Sequence, residues 1–405
     1  MKKILEIALG IVTSVGGFLE IGSIATAAQA GADFSFQLIW AIVLGGISII
    51  FLVEQAGRFS AVSGRTIPDA IRERFGFNYF AFLFLVLTLV CLLVLSAEIG
   101  GVCIALELAT GVSFQWWAIP VAFVIWLVIW KGTFGVIEKG VSLLGLVTVC
   151  FVVGAWIIHP PWGQVVQSAV PSVPQHDGAH YWFVAVSILG ASISPYLFFF
   201  YASGAIEDEW KETHVGINRV IAASGMSFGS VISISVLILA AMIFAPQGMK
   251  FEHYSQLPTL LVPVFGYWGF WLVVASVGIA CLGAAMEITL QMAYFTAQGF
   301  GWNWSENQRP LDEARFSAAY TLIVILGTVA SLIGIDPLGL TIFSMVATAA
   351  TLPVSIVPFL FLMNDYSYVR GYRNGWFSNT VVIVLIGLAF VLAVVAIPLQ
   401  IFGGS

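Results

Sequence analysis

The run YFAFLFLVLTLVCLLVLSAEIGG, from Tyr79 to Gly101, holds a single charge. No surface of a water-soluble fold accommodates such a run. About 20 mostly apolar residues cross the hydrocarbon of a bilayer as one helix. In lipid the backbone must satisfy its own hydrogen bonds, so a helix is the form such a run takes. The pattern recurs along the chain and predicts about eleven spans. They lie near 4–28, 36–57, 79–107, 114–130, 140–158, 181–204, 217–245, 262–299, 316–335, 338–363 and 378–402. The eighth is too long for one simple span and is expected to bend or to extend beyond the bilayer.

Composition agrees. Hydrophobic residues make up 60% of the chain and charged residues 9%, against about a quarter charged in a soluble domain. The net charge of -6 says little about partners, because few charges face water. There is no basic patch, which argues against nucleic acid as a partner. Cys91, Cys103, Cys150 and Cys281 lie in apolar runs without metal-type spacing and read as buried hydrophobes. Lys2-Lys3, an apolar run and the small residues of ATAAQA imitate a signal peptide. Glu20 within the run and the many later spans argue against cleavage.

The basic residues fix an orientation. Lys2 and Lys3 precede span 1, and Arg58, Arg65, Arg72 and Arg74 separate spans 2 and 3. Lys131 and Lys139 follow span 4, Lys211 and Arg219 span 6, Arg309 and Arg315 span 8, and Arg370 and Arg373 span 10. Of the Lys and Arg residues, only Lys250 falls on the other side. The positive-inside rule then puts the N-terminus in the cytoplasm and the C-terminus outside, in a bacterial inner membrane.

Two successive sets of five spans must be inverted relative to each other, because five is odd. Residues 4–158 and 181–363 would be the two repeats of a single membrane domain (1–405), with 378–402 as an eleventh helix. Inverted repeats are a transporter architecture, with the site between broken helices at the bilayer midplane. Span 1 carries GGFLEIGS (Gly16–Ser23) and span 6 carries GASISPYL (Gly190–Leu197), centred on Pro195. Proline removes a backbone donor and clashes with the preceding turn, and glycine loosens a helix.

At these residues the chain resembles the Nramp family of transporters. SGRTIPDAIRERFG (Ser63–Gly76) is similar to that family's segment after span 2. AEIGGVCIALEL (Ala97–Leu108) is similar to its third span, and NDYSYVRGYRNG (Asn364–Gly375) to its tenth-span exit. SIATAAQAGADFSFQLIW (Ser23–Trp40) resembles the stretch after its first-span motif. The resemblance covers essentially the whole chain. It implies an all-α LeuT-type fold of two inverted five-helix repeats plus one helix, with helices 1 and 6 broken. It further implies alternating access, usually with proton coupling.

The departures from that family's pattern are informative. Its span-1 metal motif is Asp-Pro-Gly-Asn, and the matching residues here are Glu20-Ile21-Gly22-Ser23. Its sixth span offers a methionine, a proline and often a histidine, where this chain has Ser194, Pro195 and Tyr196. Met345 stands where a glutamine often helps in span 10. The soft sulfur expected in span 6 is therefore missing, and with it the basis for transition-metal selectivity. A hard ion such as Mg²⁺ could still use Glu20 and carbonyls.

A small anion fits the residue types better. Helix restarts at Gly22-Ser23 and Pro195-Tyr196 would aim free N–H groups at the gap. Ser23, Ser192, Ser194 and Tyr196 add hydroxyls, and Ala191 leaves room. Bicarbonate is the first expectation, with a divalent metal ion (Mg²⁺ or Mn²⁺) or a transport-inactive sensor as alternatives. Glu20 would repel an anion if ionised, whereas its protonated form would donate a hydrogen bond. Proton and anion would then occupy the site together.

Acids inside a membrane are rare and read as functional by default. Glu98 is expected to relay protons, as its position in the resemblance implies. Glu287 is a second relay candidate, with helix packing as the competing reading. Glu107 reads as solvated near a membrane boundary. His159, His176, His180, His214 and His253 read as loop or boundary residues. No paired metal ligands, nucleophile elbow or phosphate loop appears, so neither an enzyme nor a cofactor is expected.

Overall fold

The computed structural model describes residues 20–132, 145–305 and 307–402. The first half of span 1 (with Gly16), Lys139 and the start of span 5 lie outside them. The described chain is helical. Its helices are α1 (Ile21–Phe34), α2 (Ile39–Ser63), α3 (Ile67–Phe75), α4 (Phe77–Thr110), α5 (Phe114–Lys131) and α6 (Val149–Ile157). Next come α7 (Trp162–Gln167), α8 (Gly178–Ser192), α9 (Pro195–Glu207), α10 (Val215–Ile243) and α11 (Val262–Phe265). The chain closes with α12 (Tyr267–Phe300), α13 (Ala314–Leu332), α14 (Pro337–Asn364), α15 (Tyr366–Val369) and α16 (Trp376–Phe402). Among the described residues, nine helical segments are long and apolar enough to cross a membrane.

The expected bend in the long eighth span falls at its start. Gly266, at φ 60°, separates α11 from α12. The 34 residues of α12 then extend about 50 Å, more than the roughly 30 Å of a bilayer core. α4 is equally long, and the two pack along each other. α1 packs on α10, and α9 packs on α2. That reciprocal pairing is the one two repeats related by inversion require.

Helices in lipid gain little from burying apolar surface against one another, so small residues set their approach. At Gly31 of α1, a Cβ would lie 2.3 Å from the Leu237 carbonyl oxygen of α10. At Gly190 of α8, it would lie 1.8 Å from the Met345 carbonyl oxygen of α14. Neither crossing has room for a methyl group.

The segment after α14 locks one end of the bundle. Arg58 bonds both Glu54 oxygens at 2.9 and 3.0 Å, and also Asn374 Oδ1 at 2.8 Å. Asn374 in turn donates to Gln55 and Asn379. Asp365 accepts from the Ser367 hydroxyl and amide and pairs with Arg74 at 3.3 Å. The Ser367 bonds, with Arg74 adding to them, hold the Asp365 carboxyl below its ordinary pKa. These contacts give a physical reason for the polar residues of NDYSYVRGYRNG.

Candidate functional site

The span-6 break is a backbone feature, and the described part of span 1 opens on a helix start. Glu20 is extended, at φ -116° and ψ 166°, and α1 begins at the next residue. α8 ends at Ser192, Ser194 is extended, and Pro195 opens α9. Proline suits a first helical position because its missing N–H would have had no partner there. This second break falls near the middle of one continuous apolar segment, Gly178–Glu207.

The two breaks meet through Glu20, which is fully buried. Ser194 Oγ donates to its Oε1 at 3.1 Å, and the Tyr196 hydroxyl donates to its Oε2 at 2.8 Å. Glu98 reaches across from α4. The Ile21 amide, the first of α1, donates to its carboxyl oxygens at 3.0 and 3.3 Å. A helix start presents unpaired N–H groups and a partial positive charge, and here a carboxyl from another helix fills that position. Glu20 and Glu98 are close enough to repel when both are ionised. Glu287 of α12 is buried as well.

The other expected site residues take varied positions. Gly22 and Ser23 are buried in the first turn of α1. Ala191 is buried in the last turn of α8. Ser192 turns to α2, where its side chain fills the space that a Cβ on Gly45 would need. The structure thus brings Ser194 and Tyr196, rather than Ser192, to Glu20.

Three features go beyond the sequence reading, which placed Met345 in span 10 without the reach of its sulfur. The Cys281 sulfur of α12 is buried against Gly101 of α4, one turn from Glu98. The Met345 thioether packs on Gly22, where a Cβ would lie 2.5 Å from its sulfur. A soft sulfur therefore does reach the restart of α1, from α14 instead of from span 6. The third feature ties the far ends of α1 and α8 together. His180 Nε2 meets Asp33 Oδ2 at 2.8 Å, and Phe34 stacks on His176. The Asp33–His180 spacing in sequence gave no signal; only the pairing of α1 with α8 creates it. Among the described residues, no group of three His, Cys, Asp or Glu side chains is arranged to hold a metal ion.

Comparison with known proteins gives the wider setting. A family model described as "Natural resistance-associated macrophage protein-like" matches residues 10–398. A divalent metal cation transporter, MntH, of Caldanaerobacter subterraneus is 23% identical over 92% of this chain and 88% of its own. MntH 1 of Pseudomonas aeruginosa is 24% identical over 96% of this chain and 90% of its own. The crystal structure of a manganese transporter from Eremococcus coleocola superposes with a TM-score of 0.77 at 20% identity, over 98% of this chain and 87% of that one. MhsT, crystallised with L-phenylalanine, superposes with a TM-score of 0.63 at 14% identity, over 96% of this chain and 97% of that one. These likenesses establish the LeuT-type fold.

Proposed function

Since the chain belongs to the Nramp family and is a membrane transporter of that type, we propose that it carries a small oxyanion such as bicarbonate together with a proton. The repeats 4–158 and 181–363 would rock against each other around the breaks, with the N-terminus cytoplasmic. One observation carries this reading. The donors at the two breaks, Ile21 N–H, Ser194 Oγ–H and Tyr196 O–H, are already bound to carboxyl groups. A carboxylate has the planar, two-oxygen edge of bicarbonate. The donor set is thus shaped for an oxyanion, and the chain's own acids hold it between substrates.

Coupling follows from that competition. A proton on Glu20 turns an acceptor into a donor and weakens its claim on Ser194 and Tyr196. Bicarbonate can then take those two hydroxyls and accept from the protonated acid as well. When Glu20 loses its proton, its carboxylate reclaims the donors and repels the anion. Glu98 and Glu287 would pass the proton on. With no Lys or Arg at the breaks, binding is weak and release is fast.

A second reading takes the relatives' substrate class. The named relatives are divalent metal transporters, and two neighbouring carboxyls with the Met345 sulfur supply hard and soft ligands. Line broadening of ¹³C-labelled bicarbonate by the purified protein separates the two. Saturable broadening is expected. It should weaken about tenfold in Tyr196→Phe, because a hydrogen bond to a charged group contributes about 1.5–3 kcal/mol. Tight Mn²⁺ binding by calorimetry, with bicarbonate unaffected by the protein, would favour the metal.

A further inference from the structure

A cavity of about 430 Å³ opens at the Arg58 end of the bundle, against α2 and the start of α16. Phe51, Glu54, Arg58, Arg219, Arg373 and Ser378 are among its lining residues. The volume lies in the range of small-ligand sites, about 300–1,000 Å³.

Its charge is unbalanced. Arg58 is buried and committed to Glu54, Asn374 and the Tyr372 carbonyl. Glu54 thereby cancels Arg58, and Arg219 adds only a longer 3.4 Å contact to the same carboxylate. The Arg219 side chain is 66% exposed. Arg373 lies over the Tyr366 ring at 5.9 Å and makes no ion pair among the described residues. Two positive charges therefore remain for an occupant.

The depth of the cavity is marked independently. Trp376 and Phe377, 80% and 65% exposed, begin the apolar helix α16 beside it. Exposed aromatics at the end of a membrane helix sit at the headgroup level. Phe377 also packs on Phe51 of the cavity wall at 6.0 Å. The cavity thus joins arginines to an aromatic wall, the pairing that a lipid phosphate and its acyl esters require. Guanidinium groups bind phosphate oxygens in a bidentate fork, and basic pockets between membrane helices take anionic headgroups.

We propose that this cavity binds the phosphodiester headgroup of an anionic membrane lipid, held by Arg219 and Arg373. Native mass spectrometry of the full chain released from phosphatidylcholine nanodiscs containing phosphatidylglycerol tests it. Wild type should retain phosphatidylglycerol, and the double variant Arg219→Gln/Arg373→Gln should retain several-fold less. Retained phosphatidylcholine should be the same for both. Should the double variant not fold, Arg373→Gln alone, at an exposed position, should show the same direction. Equal phosphatidylglycerol on variant and wild type would overturn the proposal. So would loss of the lipid on adding millimolar inorganic phosphate, which would assign the cavity to a soluble anion.

Discussion

Glu20→Gln is expected to leave bicarbonate uptake indifferent to a proton gradient. Glutamine keeps the size of the side chain and an oxygen to accept from one of Ser194 and Tyr196, while its NH₂ faces the other as a donor. It cannot gain or lose a proton, so the competition that loads and expels the anion stops. For one proton per anion, one pH unit is worth about 1.4 kcal/mol, or a tenfold bias. Wild-type proteoliposomes should therefore take up labelled bicarbonate several-fold faster with acid outside than at equal pH. In Glu20→Gln that ratio should fall to about one. Protein-free vesicles must be subtracted, because CO₂ crosses lipid unaided. A Glu20→Gln protein that keeps the wild-type ratio would remove Glu20 from coupling.

The largest expected effect on stability is at Gly190. A Cβ there would lie 1.8 Å from the Met345 carbonyl oxygen and 3.2 Å from the Ala349 amide nitrogen. Both obstacles are backbone, so no rotamer change relieves them, and α8 must separate from α14. Overpacking typically costs about 1–3 kcal/mol, and a clash with backbone belongs at the top of that range. Thermal unfolding in detergent should show Gly190→Ala clearly destabilised. Gly216→Ala, on α10 with nothing within 4 Å, should unfold like wild type or slightly later. Equal midpoints for the two variants would mean that the α8–α14 crossing is looser than the structure has it. Gly22→Ala differs in kind. Its obstacle is the flexible end of Met345, so the chain should fold with the sulfur displaced from the break.

The fold was legible because a bilayer leaves few options. Apolar runs gave the helices, and the arginines of one side do converge, Arg58 on the 372–374 segment and Arg74 on Asp365. Glu20, Ser194 and Tyr196 were legible because each lies at an interruption, and interruptions at matching places in two repeats must meet. Glu98 stood out as a charge inside an apolar run. Cys281 gave no such sign, and Met345 was placed near the site only by the resemblance. They come from unbroken helices, and only the packing of α12 and α14 brings one sulfur to Gly101, a turn from Glu98, and the other to Gly22. Ser192 shows the converse. It lies two residues from Ser194, yet the end of α8 points it at Gly45. Hydroxyls near a break can be counted from sequence, but their directions cannot.

The central claim is that the donors gathered at the two breaks serve an oxyanion. Initial uptake of bicarbonate and of Mn²⁺ into the same wild-type proteoliposomes, under one inward proton gradient, tests it most directly. The account predicts protein-dependent, saturable bicarbonate uptake that Ser194→Ala and Tyr196→Phe each reduce, with Mn²⁺ at the level of empty vesicles. Saturable Mn²⁺ uptake abolished by Glu20→Ala, with bicarbonate no faster than its passive leak, would contradict it.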